Sequence, residues 1–155
     1  MTVSEFMFTD PGHLAVRKGT IDLENDTIVC VLVTTTHTPS LINDNVYSDI
    51  SANECADADY TATFAEGHVL AASLWSAVST RVAKWDATDL DYGNAVTISA
   101  RYVYIVRRAG ASLVAGDLIV GYVDLDVAGT NVSSTNGNFD LAWAATGLFV
   151  DTLSP

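Results

Sequence analysis

Residues 92–126 contain two long apolar stretches joined by a short run of small residues, and this arrangement constrains the fold more than any other part of the chain. The first stretch, residues 96–108, alternates along its length, and the second, residues 118–126, reads LIVGYVDLD. β-Branched and aromatic residues with a period of two are typical of strands. The sequence therefore predicts two long strands with a short connection, and neither strand carries a pattern typical of reaction chemistry.

The strand predicted at residues 96–108 has two different faces, because successive side chains of a strand point to opposite sides of a sheet. We assign one face to the core, and it consists of Val96, Ile98, Ala100, Tyr102, Tyr104 and Val106. The second face is polar at its start and end, and it consists of Thr97, Ser99, Arg101, Val103, Ile105 and Arg107. We expect Arg101 to form a salt bridge with an acid on a neighbouring strand, such as Asp89 or Asp124.

A short helix is predicted at residues 10–19. Asp10 would cap its N-terminus, Pro11 would take the first helical position, and Gly19 would close it in a left-handed conformation. Leu14 and Val16 would form its buried side. The alternative for residues 1–20 is an extended arm that reaches a neighbouring molecule.

A strand rich in β-branched residues is predicted at residues 27–35, and both of its faces are apolar, so we expect it to be covered on both sides. Residues 36–59 are polar, which predicts a long loop with a helical turn near residues 46–50. A loop of over 20 residues is uncommon in a compact domain and is usually functional or part of an interface.

The segment of residues 60–85 is compatible with either a helix or two strands. Apolar residues recur there every four positions, which is a helical spacing, at Leu70, Leu74, Val78 and Val82. Ser79 and Thr80 could instead form a turn between two strands. Periodicity alone favours the helix.

The last third of the chain shows short strand patterns with turn signals between them. Residues 133–137 contain Asn-Gly and are predicted to be a turn. Residues 138–143 alternate as a strand, and residues 147–153 add a short terminal strand. Such spacing predicts an all-β fold, an antiparallel β-sandwich that is either jelly-roll-like or immunoglobulin-like. A single domain at residues 21–155 would follow the short helix or arm of residues 1–20.

The composition limits the classes of partner. Nineteen acids against seven bases give a net charge of −12, and no basic cluster offsets it, so direct nucleic-acid binding is not expected. No apolar run approaches the length of a membrane span, and no secretory signal is recognisable, so synthesis in a cytoplasm is expected. The apolar fraction of 49% indicates either a dense core of small residues or surfaces covered by neighbouring subunits.

Motifs of catalysis and metal binding are absent from the sequence. There is no GxSxG, HExxH, P-loop or GxGxxG pattern. His13, His37 and His68 fall in different predicted elements without the spacing of zinc ligands, so we interpret them as surface or capping residues. We therefore predict that the protein is not an enzyme, with no catalytic residues, no cofactor and no metal.

Two groups of aspartates have a spacing that a calcium site could use. Asp86, Asp89 and Asp91 form one group, and Asp57 and Asp59 form the other. Calcium needs several oxygen ligands at such density, but the order of an EF-hand loop is missing. Solvated turn carboxylates are the simpler interpretation.

The cysteines and tryptophans are assigned structural roles. Cys30 lies in an apolar run and is predicted to be a small buried hydrophobe, whereas Cys55 lies in a polar loop. Two cysteines do not make a disulfide framework. The three tryptophans are interpreted as core residues; a carbohydrate-binding face would instead require Trp75 or Trp85 to be exposed along a groove.

A series of short motifs occurs in a defined order along residues 18–150. In the first half these are KGTIDL at 18–23, DTI at 26–28, VTT at 33–35, TP at 38–39, YSDISANE at 47–54 and YTA at 60–62. In the second half these are DATDL at 86–90, AVTISARY at 95–102, LIVGYVD at 118–124 and SSTNG at 133–137, followed by Trp143 and Gly147. Together they resemble the virion structural proteins of tailed bacteriophages. The resemblance implies a β-hairpin at residues 69–85, against the periodicity.

The resemblance also implies a function. The expected role is that of a capsid cement or decoration protein on the outer surface of the virion, bound between subunits of the major capsid protein. Self-association as a trimer or dimer is expected with it, without nucleic-acid or membrane partners. The expected contact residues are Phe6, Met7 and Phe8 in the arm and Leu41, Ile42, Val46 and Tyr47 in the loop. The alternatives are a tail or neck component and a carbohydrate-binding β-sandwich for host adsorption.

Overall fold

The computed structural model describes residues 4–152. The helices are α1 (Asp10–Arg17), α2 (Ala58–Phe64) and the 3₁₀ turns Tyr47–Asp49 and Ser51–Asn53. The strands are β1 (Met7–Phe8), β2 (Thr27–Val33), β3 (His68–Val69), β4 (Leu74–Ser79), β5 (Val82–Asp86), β6 (Leu90–Asp91), β7 (Val96–Ala100), β8 (Tyr102–Arg108), β9 (Leu118–Asp124), β10 (Val132–Gly137), β11 (Asp140–Leu141) and β12 (Phe149–Thr152). The structure confirms the predicted fold class, an antiparallel β-sandwich with a short N-terminal helix.

The largest sheet has five antiparallel strands in the order β1-β9-β8-β2-β3. β2 pairs along its whole length with β8, and Cys30 lies opposite Ile105 at the centre of that pair. Every residue of β2 after Thr27 is buried. The prediction that this strand is covered on both sides is therefore confirmed.

One face of the five-stranded sheet packs against the three smaller sheets, which have the strand orders β10-β7, β11-β6 and β12-β5-β4. This first core contains Leu32, Ile105 and Val120 from the large sheet. Trp85 of β5 and Ile98 of β7 pack against them and are 0% exposed. Burial of such large apolar side chains is the main stabilising contribution to a fold of this kind.

The other face of the large sheet is covered by residues 36–59, which we call the covering loop. Ile50 of this loop is 0% exposed and packs with Val31 and Ile119 in a second core. The loop also pairs with the part of β2 that β3 does not reach, because Cys55 N donates to Leu32 O over 2.8 Å. The predicted helical turn is confirmed by the 3₁₀ turn at Tyr47–Asp49.

The stretch predicted as one strand at residues 96–108 is two strands in two different sheets. The chain bends at Arg101, between β7 and β8, and the side of the strand that faces the first core changes there. Ile98 and Ala100 face the first core before the bend, whereas Val103 and Ile105 face it afterwards. The burial of the predicted core face is thus confirmed beyond residue 100, but the assignment of only one face to the core is wrong there, since Val103 and Ile105 are 0% exposed as well.

After the bend, the residues predicted to continue the core face lie in the second core; these are Tyr102, Tyr104 and Val106. The predicted salt bridge of Arg101 is confirmed with Asp124 on β9, at 3.0 Å between Nη2 and Oδ2. The backbone of Arg101 also stays bonded to both sides, since its N–H donates to Val33 O and its C=O accepts from Leu125 N. These bonds fix the bend.

Helix α1 is confirmed, but its cap and its buried side differ from the prediction. Thr9, not Asp10, is the N-cap, and its Oγ1 accepts a hydrogen bond from Gly12 N over 3.1 Å. Gly19 ends the helix with a φ of 69°, as predicted. Leu14 is 52% exposed, so its predicted burial is wrong. The helix lies so close to β9 that Gly12 is its buried residue.

The hairpin within residues 69–85 is confirmed as β4 and β5, joined by Thr80 and Arg81. The helical interpretation of the four-residue spacing is wrong, because residues four apart also share one face of a strand. Only residues 58–64 of this part of the chain form a helix.

Residues 133–137 do not form the predicted turn but belong to β10, which pairs with β7. The register shifts between Ser134 and Gly137, and Asn136 has a φ of 49°. The Asn-Gly pair therefore shapes an irregularity within the strand. The strand predicted at residues 138–143 is reduced to β11, whereas the terminal strand is confirmed as β12.

Candidate functional site

Asp44 fastens the covering loop to the large sheet. Its Oδ2 accepts hydrogen bonds from Tyr104 Oη over 2.6 Å and from Ser40 N over 2.9 Å, and it lies 3.0 Å from His37 Nε2. Burial raises the pKa of the Tyr104 hydroxyl, and its bond to Asp44 raises it further. Asp44 is only 4% exposed, so these bonds replace the water that the carboxylate would otherwise need.

Glu54 is a second internal anchor of the same loop. Its Oε1 accepts a hydrogen bond from Tyr60 Oη over 2.8 Å, and its Oε2 accepts one from Tyr47 Oη. Burial raises the pKa of Glu54, although the two tyrosine hydroxyls act in the opposite direction. A carboxyl group with a raised pKa can serve in proton transfer. Here both oxygens are held by tyrosines of the fold, which makes the group a structural link.

The three predicted contact residues of the N-terminal segment lie in or next to the edge strand β1. Met7 lies opposite Tyr122 of β9 and packs on the second core. Phe6 and Phe8 pack on the first core, where the Phe8 ring lies 4.8 Å from that of Phe149. All three are half-buried by the chain's own residues.

The four predicted contact residues of the covering loop differ in exposure. Ile42 is 69% exposed and Leu41 is 41% exposed, and Leu41 O accepts a hydrogen bond from Asp10 N. Val46 and Tyr47 are half-buried, because Val46 bridges to Leu118 and Tyr47 packs on the second core. Leu41 and Ile42 are therefore the members of this set with free apolar surface.

The outer surface of the β12-β5-β4 sheet carries exposed apolar side chains that were not predicted from the sequence. Leu74 is 57% exposed, Val78 is 56% exposed and Val150 is 44% exposed. We call these three residues the hairpin face. The signal was present in the four-residue spacing of Leu74 and Val78, which also places both residues on one side of a strand.

Strand β4 is one of the two outer strands of that sheet, and its six residues LWSAVS carry no charge. Exposed strand edges are commonly protected by charged residues, proline or short length. One backbone amide of β4 is covered, since Trp75 N donates to Glu24 Oε1 over 2.7 Å. The remainder of β4 combines a long edge without charged residues with the exposed side chains of Leu74 and Val78, beside the Lys84–Asp86 ion pair of β5.

The aspartates considered for calcium bind backbone amides. Asp57 accepts a hydrogen bond from Ser99 N over 2.7 Å, and Asp59 accepts one from Thr97 N, so both close the open edge of β7. In the other group, Asp89 accepts a hydrogen bond from Trp143 N. Within residues 4–152 no three His, Cys, Asp or Glu side chains are grouped as metal ligands.

Both cysteines are free and buried. Cys30 is the predicted small core residue. Cys55 is only 2% exposed although its surroundings in the sequence are polar, and burial raises the pKa of its thiol to about 11.

A groove of about 630 Å³ lies between residues 4–6 and the segment of residues 140–150. Trp143 lines it, whereas Trp85 is fully buried and the Trp75 ring packs 5.1 Å from that of Phe149. The carbohydrate-binding alternative required Trp75 or Trp85 at a groove. Neither of them lines this groove, and the tryptophan that does is Trp143.

None of the helices within residues 4–152 combines the length and the apolar character needed to span a bilayer. Comparison of the chain with protein-family models, with curated proteins and with solved structures found no match.

Proposed function

We propose that the chain is a structural protein of a tailed-phage virion, and specifically a cement or decoration protein that binds between major capsid protein subunits on the outer capsid surface. The observation that carries this proposal is the exposed, uncharged β4 edge with the hairpin face beside it. In a chain of net charge −12, exposed apolar side chains along a strand edge that carries no charge are costly to leave in water. Burial against a larger assembly would remove that cost.

The motifs along residues 18–150 support the proposed context, because they resemble virion proteins. The covering loop adds a second apolar projection at Leu41 and Ile42. Two separate projections suit a protein that joins neighbouring subunits, since each can contact a different one. A trimer or dimer at a lattice axis would repeat both contacts. A tail or neck protein would use the same surfaces on another shell.

Replacing Val78 and Val150 together with threonine should weaken binding to purified heads of the phage that encodes the chain by at least about tenfold. Threonine keeps the shape and β-propensity of valine, but its hydroxyl costs about 1–3 kcal/mol when it is buried without a partner, and each 1.4 kcal/mol is a factor of ten in affinity. Co-sedimentation over a range of protein concentrations gives the dissociation constants.

The matched control is the double substitution of Val114 and Val127 with threonine, because these valines are 55% and 52% exposed and lie outside the hairpin face. It should bind like the wild type. Equal binding by the two double variants would refute the assigned surface. Failure of the wild-type protein to bind heads at micromolar concentration would refute the cement function.

A further inference from the structure

The groove between residues 4–6 and residues 140–150 lies where the large sheet meets the β12-β5-β4 sheet. β1 is the outer strand of the first sheet and β12 is an outer strand of the second. Their side chains meet at Phe8 and Phe149, and the groove is lined by Phe6, which directly precedes β1, and by Val150 of β12. Two strand edges therefore border one cavity.

The register of β1 shows which backbone groups are available there. Thr9 N donates to Val120 O, and the antiparallel alignment continues with Phe8 opposite Gly121 and Met7 opposite Tyr122. Backbone bonding to the partner strand alternates from one residue to the next. The backbone N–H and C=O groups of Phe8 consequently point away from β9, to the open edge of β1 that adjoins the groove at Phe6.

The floor of the groove is apolar and its rim is acidic. Leu125 and Leu148 are 2% and 7% exposed at its base, and the Trp143 side chain lies at its wall. Glu5 and Asp140 are its charged residues, and both are exposed. No lysine, arginine or histidine lines the groove among the described residues.

We propose that this groove binds an extended peptide segment of a partner protein that carries lysine or arginine next to apolar side chains. The segment would add a strand to the open edge of β1, which is a common mode of peptide recognition. Its apolar side chains would enter the groove, whose volume lies in the range of known ligand sites. Its basic side chains would face Glu5 and Asp140, where opposite charges favour association. This site shares Val150 with the hairpin face but does not depend on a role in a virion.

The test uses the full chain and two blocked hexapeptides, one alternating valine and lysine and one alternating valine and glutamate. Fluorescence anisotropy of labelled peptides should show binding of the lysine peptide and at least tenfold weaker binding of the glutamate peptide. A benzophenone group in the lysine peptide should form cross-links within residues 4–6 or 140–150, which mass spectrometry locates. Cross-links confined to other regions, or no binding of the lysine peptide, would overturn the proposal.

Charge variants separate the groove from general attraction to an acidic protein. Glu5→Gln and Asp140→Asn should each weaken binding of the lysine peptide at least threefold, whereas Asp10→Asn, which removes one exposed charge outside the groove, should leave it unchanged. Equal effects of all three variants would show non-specific attraction and refute the site. Binding only after removal of residues 1–3 or 153–155 would identify the chain's own terminus as the occupant and would also overturn the proposal.

Discussion

Replacing Gly12 with alanine should lower the midpoint of thermal unfolding by about 10 °C, although alanine is the better helix former. A Cβ atom at this position would lie 2.5 Å from Ile119 O and 2.7 Å from Thr9 Oγ1, and closer still to Val120 O. Two of these atoms are backbone of β9, which cannot move without disturbing the large sheet. We expect a net loss of about 3 kcal/mol, since overpacking a closed site commonly costs about 1–3 kcal/mol and occasionally more.

Each kcal/mol shifts the midpoint by about 2–4 °C for a chain of this size. The measurement is thermal unfolding followed by far-ultraviolet circular dichroism. Gly116→Ala is the control, because a Cβ there meets nothing within 4 Å, and it should leave the midpoint within about 2 °C of wild type. An unchanged midpoint for Gly12→Ala would mean that α1 does not lie directly against β9.

The protein should unfold cooperatively within about two pH units above pH 10. Burial raises the pKa of Tyr60, Tyr92 and Tyr104 well above 10 in the folded chain. The folded state therefore keeps protons that the unfolded state loses, so stability is present below pH 10 and decreases as the pH rises. Each such tyrosine contributes a slope of about 1.4 kcal/mol per pH unit. Three of them together lower the free energy of unfolding by about 4 kcal/mol per pH unit, and the whole free energy of unfolding of a typical protein is only about 5–15 kcal/mol.

The measurement is absorbance at 295 nm, which follows tyrosinate, together with circular dichroism. The two signals should change in one coincident transition. Tyr92→Phe is the informative variant, because within residues 4–152 the Tyr92 hydroxyl has no hydrogen-bond partner, so its removal should cost little at neutral pH. It should also shift the alkaline transition upward. Gradual ionisation near pH 10 with the fold retained would contradict the burial of these hydroxyls.

The sequence predicts those elements that depend on the residue types of a short segment. The strand at β2 and the pair β8 and β9 follow from runs of β-branched and aromatic residues. The left-handed conformation of Gly19 was predicted correctly, because the position after the end of a helix commonly adopts this conformation and glycine adopts it most readily. The Arg101–Asp124 pair was predicted because a basic side chain within a strand needs a nearby acid.

Features decided by tertiary contacts were not predicted. The bend at Arg101 is invisible to a period-two pattern, because both sides of residues 102–106 are buried in different cores. The strand β10 was missed because its polar residues are ordered by pairing with β7. The groove could not be predicted, since residues 4–6 and 140–150 are far apart in the sequence and meet only through the packing of two sheets.

The bend at Arg101 has a consequence for how the molecule comes apart. β7 and β8 are consecutive in the chain yet lie in two sheets, and β8 sits in the middle of the larger one. Loss of the pairing between β10 and β7 would weaken the backbone hydrogen bonds that Arg101 makes to β2 and to residue 125. The two sheets are thus joined by continuous backbone at Arg101, which favours cooperative unfolding of both sheets over separate unfolding of the smaller one.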